Sequence, residues 1–194
     1  MEMLNTVAMA AGLSWASGLR LYAVLFFAGL LGRFEYIQLP TDLLVLQHPL
    51  VLAASGCMFA IEFLVDKVPA LDSLWDSIHT FIRIPAGALL AAWTLGSHDP
   101  AIMLAAGILG GTLSAGSHFT KTGSRAMINL SPEPLSNVAT SLGEDALVAG
   151  GLFAAFVHPA VFLALLVVFM LFAVWLLRKF WRRLRQPRVA DQAP

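Results

Sequence analysis

The chain has 194 residues, of which 58% are hydrophobic and 12% are charged, and its formal net charge is zero. A soluble domain carries about a quarter charged residues, so this composition excludes an ordinary soluble protein and places the chain among membrane proteins. A helix that crosses a bilayer needs about 20 mostly apolar residues. Six such helices with short loops account for the whole length, and no separate soluble domain is expected.

The first half of the chain predicts three helices. The first, over Asn5–Leu31, is rich in alanine, glycine and serine, whose small side chains let helix backbones approach closely in lipid. The second is predicted over Leu50–Val65 and ends before the next proline, which cannot continue it. The third is expected over Leu74–Leu95, with Asp72 or Ser73 as its N-cap.

The second half predicts three more helices, over Ala101–Phe119, Leu135–Val157 and Ala160–Trp181. The last of these has no ionisable residue over Phe162–Leu177, and we expect it to face lipid. The predicted fold is therefore an all-α, polytopic transmembrane helix bundle of six spans over residues 1–181. The order of the helices is also compatible with two inverted halves of three helices each.

A basic segment follows the sixth helix. Residues 178–194 hold six basic side chains against one acidic side chain, and residues 182–194 are expected to form a basic cytoplasmic tail. Directly after an apolar helix, such a segment is typical of an anchor for anionic lipids, and we expect no nucleic-acid partner. Six crossings then place both termini in the cytoplasm, with Lys67, Lys121 and Arg125 in the two cytoplasmic connections.

Charged residues inside or beside the apolar segments are the most informative feature of this sequence. A charge at membrane depth is costly, so it normally faces a bundle interior or a water-filled cavity. Spacings of three or four residues place the ionisable groups of each helix in one stripe. With the predicted topology the stripes reach the same half of the membrane: Arg20 on the first helix, Glu62 and Asp66 on the second, Asp72, Asp76, His79 and Arg83 on the third, His118, Lys121 and Arg125 on the fourth, and Asn137, Ser141, Glu144 and Asp145 on the fifth.

We expect these stripes to line a polar cavity that opens to the cytoplasm. Guanidinium and ammonium groups attract phosphates and carboxylates, so substrate binding is assigned to the basic groups and one amide: Arg20, Arg83, Lys121, Arg125 and Asn137. Burial disfavours the charged form of a carboxyl group, and histidine titrates near neutral pH. Proton or ion coupling is therefore assigned to Glu62, Asp66, Asp72, Asp76, His79, His118, Glu144 and Asp145.

Two structural alternatives stay open for these residues. The deeper ones are also compatible with ion pairs that lock helices together, such as Arg20 or Arg83 with Glu62 or Glu144. Others lie near predicted helix ends and are compatible with a belt at the membrane interface: Asp66, Lys67, Asp72, Lys121 and Arg125.

The sequence gives less support to a metal site or to catalysis. Asp72, Asp76 and His79 share a helical face and offer metal ligands, but the interleaved arginines disfavour a cation, so metal binding stays open. Ser114 and Ser117 beside a histidine suggest a nucleophile and a base, although small residues in a glycine-rich helix usually serve packing. No cofactor is expected.

Five segments form a set of motifs: GLRLY at 18–22, EFLVDKVP at 62–69, DSLWDSIHTFIR at 72–83, HFTK at 118–121 and SPEPLSNVATSLGED at 131–145. Together they resemble a widespread bacterial family of integral-membrane proteins that is catalogued as a domain of unknown function. The resemblance implies a multi-pass protein of the bacterial cytoplasmic (inner) membrane, and it transfers no mechanism.

The preferred functional prediction is a small inner-membrane transporter or lipid-headgroup flippase. Its substrate would be small and anionic or phospholipid-like, and its movement would be coupled to protons. Since six helices form a small bundle, a homodimer is compatible with this function. The alternatives are a non-catalytic assembly or scaffold protein and a membrane-embedded enzyme that modifies lipids.

Overall fold

The computed structural model describes residues 2–96, 99–128 and 134–185. Within these ranges the regular secondary structure is entirely helical, which confirms the predicted all-α class. The helices are α1 (Glu2–Arg33), a short 3-10 helix (Thr41–Gln47), α2 (Pro49–Val65), α3 (Pro69–Leu95), α4 (Pro100–Ile128), α5 (Pro134–Val157) and α6 (Pro159–Arg185).

Among the described residues, five helices are long and apolar enough to cross a membrane by themselves. Helix α2 has only 17 residues, but it meets the 3-10 helix at a bend of 68°, and the two together are a sixth candidate, either a broken span or a re-entrant loop. The polytopic helix bundle is thus confirmed. The outer surface of α6 exposes Leu165, Val168 and Leu171, as expected of a helix that faces lipid. The orientation of the termini and the inverted repeat stay predictions.

Each of the helices α2 to α6 begins at a proline. Proline fits the first turn of a helix because the N–H group that it lacks would have no partner there. Helix α3 therefore begins at Pro69, and the predicted start at Leu74 is wrong. Asp72 does not cap α3 but lies buried in its first turn, and Pro85 lies inside the helix without ending it.

Helix α4 extends further than the sequence predicts. The polar segment after Phe119 suggests a loop, but the helix continues to Ile128. Lys121 and Arg125 are almost fully buried in the bundle. They lie within α4, so the prediction that they fall in the connection between two helices is wrong.

Helix α1 lies at the centre of the bundle and contacts each of the other five α-helices. It approaches α4 closely because Gly18 has no side chain: a Cβ atom there would overlap Ser117 Oγ and the carbonyl oxygen of Ser114. It is joined to α3 by Ser14, whose hydroxyl donates a hydrogen bond of 2.8 Å to the carbonyl of Gly87. The small residues of α1 thus bring three helix backbones together.

Helix α1 is interrupted at Arg20, where the backbone leaves the helical conformation (φ −146°, ψ 73°). A break at membrane depth must be supported by partners other than the helix itself. Two side chains of α4 bond to carbonyl groups beside the break. Ser117 Oγ donates to the Trp15 carbonyl at 2.7 Å, and Lys121 Nζ donates to the Leu19 carbonyl at 3.4 Å. The break is therefore held by α4.

Candidate functional site

Among the described residues, ten charged side chains from helices α1 to α5 meet in one group, which we call the ion network. Nine of them expose at most 9% of their surface, and Asp145 is half-buried. The basic members are Arg20, Arg83, Lys121 and Arg125, and the acidic members are Glu62, Asp66, Asp72, Asp76, Glu144 and Asp145.

Asp66, at the C-terminal end of α2, lies at the centre of the ion network. Its carboxylate pairs with Arg20 and with Lys121, whose Nζ lies 3.1 Å from Oδ2. Arg20 Nε also lies 3.0 Å from Asp145 Oδ1, and its Nη2 donates to Ser141 Oγ at 3.0 Å. The residue at the break in α1 is thereby bound to both α2 and α5.

Arg83 of α3 lies between two carboxylates. Its Nη2 is 2.5 Å from Glu62 Oε1, and its Nη1 is 2.6 Å from Asp76 Oδ1. Lys121 approaches the same oxygen of Asp76, at 3.4 Å. Asp76 is therefore shared by two basic groups, as Asp66 is.

Arg125 of α4 forms a bidentate pair with Glu144 of α5. Both contacts, Nε to Oε1 and Nη2 to Oε2, measure 2.9 Å. Two parallel charge-assisted hydrogen bonds fix orientation as well as distance, and they are among the stronger polar contacts in proteins. Arg125 Nη1 also donates to the Asp66 carbonyl at 3.2 Å, so it satisfies a backbone group at the end of α2.

In the part of the chain that the structure describes, the ion network has two more carboxyl groups than basic groups, and Asp72 has the weakest compensation. It is fully buried, and neither of its oxygens accepts a hydrogen bond from the part of the chain that the structure describes. Its contact with Arg125 Nη1 is long, at 3.9 Å. Because a buried carboxylate without donors is costly, Asp72 is a position where a bound proton would relieve the excess of negative charge.

Each of the two predicted histidines forms a hydrogen bond with a hydroxyl group. His79 Nε2 lies 3.1 Å from the hydroxyl of Tyr22, and His118 Nε2 lies 2.7 Å from Thr80 Oγ1. Both residues lie within the sequence motifs, but neither hydroxyl was predicted to belong to the site. Thr80 could have been found, because it continues the four-residue spacing of the polar stripe on α3. Tyr22 could not, because its direction depends on the break in α1.

The family comparison covers the whole ion network. A family model described as "Domain of unknown function (DUF4126)" matches residues 7–179. The chain belongs to this family. The match confirms the predicted membership of a family of unknown function and spans all six α-helices apart from the outer ends of α1 and α6. No curated protein and no solved structure matches the chain.

Twelve of the thirteen predicted site residues of this DUF4126 protein lie in or beside the ion network. The exception is Asn137, whose side chain lies outside the part that the structure describes. Lys67 is partly exposed and donates to the Phe63 carbonyl at 2.8 Å, so it alone of the interfacial candidates stays compatible with the membrane surface. The other candidates for an interfacial belt are buried: Asp66, Asp72, Lys121 and Arg125.

Apart from Asp72, every member of the ion network of this DUF4126 protein lies within 3.1 Å of an oppositely charged member. In the described ranges, no group of three or more His, Cys, Asp or Glu side chains could hold a metal ion. The hydroxyl groups of Ser114 and Ser117 donate to the carbonyls of Arg83 and Trp15, at 2.9 and 2.7 Å. These two hydroxyl groups therefore serve the packing of α4 against α3 and α1.

Proposed function

We propose that this protein is a small transporter or lipid-headgroup flippase of the bacterial inner membrane, in which the ion network binds an anionic group. The sharing of carboxylates between basic groups is the observation that carries the proposal. Asp66 pairs with Arg20 and Lys121, and Asp76 pairs with Arg83 and Lys121. When one shared contact is displaced, each basic group keeps another partner, so the network can rearrange without leaving a bare charge.

The anionic group would bind at Lys121, whose Nζ lies within 3.8 Å of carboxylates from α2, α3 and α5. The guanidinium groups of Arg20 and Arg125 flank the same carboxylates, and guanidinium binds phosphate or carboxylate in a planar, bidentate manner. A substrate phosphate would thus take the place of one of the network's own carboxylates.

Displacement of a carboxylate supplies the coupling to protons. A displaced carboxylate would remain buried without its counter-ion, and a buried unpaired charge is far costlier than a neutral carboxyl group. Proton uptake would therefore accompany binding of the anion. The existing excess of carboxyl groups, with Asp72 least compensated, favours such uptake even before the substrate arrives.

The break in α1 allows the ion pairs of the network to rearrange. Many transporters place their sites at discontinuous helices near the middle of the membrane, because broken backbone can pivot and offers groups for binding. Arg20 lies at the break in α1 and is also the residue that pairs with Asp66 and Asp145. A movement of either half of α1 would therefore change the ion pairs directly.

A scaffold protein is the second candidate function, and near-complete burial of the pairs favours it. Arg20, Glu62 and Arg83 expose none of their surface, as expected of charges that lock helices together. In this case the ion network would set which helices pack, without moving a substrate. The basic tail would bind anionic lipids, and a homodimer would enlarge the bundle, in either function.

Reconstitution into liposomes separates the two functions. The wild type, Glu62→Gln and Arg83→Gln would be compared for uptake of radiolabelled phosphate and for transbilayer movement of a fluorescent phosphatidylglycerol, with an inward proton gradient. We expect wild-type flux in at least one assay and its loss in both variants that remain folded. If wild-type vesicles equal protein-free vesicles, and the variants lower only the temperature of unfolding, the scaffold function is correct.

A further inference from the structure

The geometry points to a groove between α2 and α5 that holds the hydrocarbon chain of an anionic phospholipid, with the lipid phosphate at Arg20 and Lys67. This inference deepens the proposed function by naming the substrate class, and its transport step rests on that function. Lipid binding in the groove can be tested separately.

The groove has a volume of about 650 Å³ and is walled by α1, α2 and α5. Most of its lining is apolar, and rings of Phe27, Phe59, Phe63 and Phe153 contribute to its walls. Along α5 the lining extends over residues 142–157, which corresponds to about 22 Å at 1.5 Å per residue. The groove is thus long enough for an extended hydrocarbon chain and follows the direction in which lipid chains lie.

The lining of the groove and its surroundings favour a hydrocarbon chain as the occupant. Apart from the charged end, the lining is apolar and aromatic. Two of the helices that wall it, α1 and α5, are long and apolar enough to cross a membrane, so the surrounding bilayer supplies hydrocarbon chains to this face.

The charges at one end of the groove define the headgroup. Arg20 and Asp145 are the charged residues among its lining, and Asp145 is the most exposed acidic member of the ion network, at 23%. Lys67 lies above the ring of Phe63, 3.0 Å from the ring centroid, so its ammonium group stands beside the same end. A phosphate group can therefore bind between Lys67 and Arg20, where it competes with the carboxylate of Asp145 for Arg20.

This arrangement gives the substrate a continuous route. The hydrocarbon chain stays in the groove, where phenylalanine rings replace the neighbouring lipids. The phosphate leaves Lys67, takes the position of Asp145 Oδ1 at Arg20 Nε, and so enters the ion network. The lipid therefore reaches the charged interior sideways from the membrane, without an aqueous opening.

Photolabelling tests the groove directly. The full chain would be placed in phosphatidylcholine vesicles that contain a trace of phosphatidylglycerol with a diazirine in its acyl chain, and labelled residues would be mapped by mass spectrometry. We expect labels to concentrate on the groove residues of α2 and α5. Unlabelled phosphatidylglycerol should reduce this labelling several-fold more than the same amount of phosphatidylcholine.

Matched tryptophan variants add a second readout. Ala149→Trp fills the groove and should lower labelling there at least fivefold, whereas Ala164→Trp, at an exposed alanine of α6 outside the groove, should leave it unchanged.

Lys67→Gln should abolish the preference for the anionic lipid. Uniform labelling of all exposed helices, or no effect of Ala149→Trp in a folded protein, would overturn the groove. So would efficient disulfide formation between copies carrying Phe153→Cys in a Cys57→Ser background, because a second copy would then cover this face.

The outcomes of this experiment are distinguishable from those of the transport assay. If flux persists in Ala149→Trp and labelling does not concentrate in the groove, the lipid groove is wrong and the proposed transport function stands. If labelling behaves as expected but the wild type moves no substrate, the groove is a lipid-binding site and the transport function is wrong.

Discussion

Lys121 Nζ lies 3.1 Å from Asp66 Oδ2, the same oxygen that pairs with Arg20, so one buried carboxylate joins the interrupted helix α1 to the interior of α4. All three side chains are almost fully buried, so these contacts are shielded from water. The stability of the bundle and the exchange of partners in the proposed transport therefore depend on the same residue.

Asp66→Asn is expected to destabilise the protein strongly. The change removes the charge that Arg20 and Lys121 share, and breaking a buried pair by removal of one partner costs about 3–5 kcal/mol. The measurement is unfolding in mild detergent, followed by far-UV circular dichroism. Asp145→Asn is the matched control, because Asp145 is half-buried and pairs with Arg20 alone among the basic groups of the ion network, and its effect should be clearly smaller. Equal effects of the two changes would contradict the central place of Asp66.

Asp72→Asn is expected to have little effect on stability or to raise it. Its oxygens accept no hydrogen bond from the described residues, and an amide removes the buried charge at nearly constant volume. Asp76→Asn provides the comparison on the same helix, because Asp76 lies 2.6 Å from Arg83. Its neutralisation should lower the free energy of unfolding by several kcal/mol. Thermal unfolding of both purified variants shows which of them is less stable. The account of Asp72 fails if its variant is the less stable one.

The pair of Arg125 and Glu144 should show a measurable coupling energy. Lysine at position 125 keeps the charge but cannot form both parallel contacts of 2.9 Å, so Arg125→Lys should weaken the protein by about 1–3 kcal/mol. A double-mutant cycle with Glu144→Gln isolates the pair, and contacting residues typically couple by about 0.5–3 kcal/mol. A coupling energy of zero would show that the two side chains do not act together.

Gly18→Ala should disturb the junction of α1 with α4. Alanine favours a helix over glycine by about 1 kcal/mol, but its Cβ would overlap the Ser114 carbonyl, and backbone cannot move aside as a side chain can. Overpacking typically costs about 1–3 kcal/mol, so a net loss is expected. Gly150→Ala is the control, since a Cβ there meets nothing within 4 Å and should be neutral or stabilising. Comparable unfolding temperatures for both variants would contradict the close approach of the helices.

The sequence predicted the fold class and the meeting of the charged side chains, because both depend on local patterns. Apolar segments of sufficient length gave the polytopic helices, and spacings of three and four gave the polar stripes. Helix starts were less predictable: Pro69 was read as the end of α2, but it begins α3 and brings Asp72 into the buried first turn. The rule that proline stops a helix and the rule that it opens one apply to the same residue.

Some partners within the ion network were named from the sequence: Arg83 pairs with Glu62, and Arg20 also approaches Glu144. The other pairs could not be predicted, because they depend on tertiary packing. The polar segment with Lys121 and Arg125 looked like a loop, since only carboxylates from other helices make burial of these basic side chains in the bundle favourable. The position of the break in α1 is equally a result of its neighbours, as side chains of α4 bond to the carbonyl groups beside it.

The most direct test of the account is the movement of fluorescent phosphatidylglycerol across liposomes that contain the wild type, Lys121→Gln or Lys67→Gln. Lys121 contacts three carboxylates of the ion network, whereas Lys67 lies outside it. The account predicts movement well above protein-free liposomes for the wild type, a loss of at least tenfold for folded Lys121→Gln, and a smaller loss for Lys67→Gln. The account is contradicted if the wild type moves the lipid no faster than protein-free liposomes do and also takes up no more phosphate than they do.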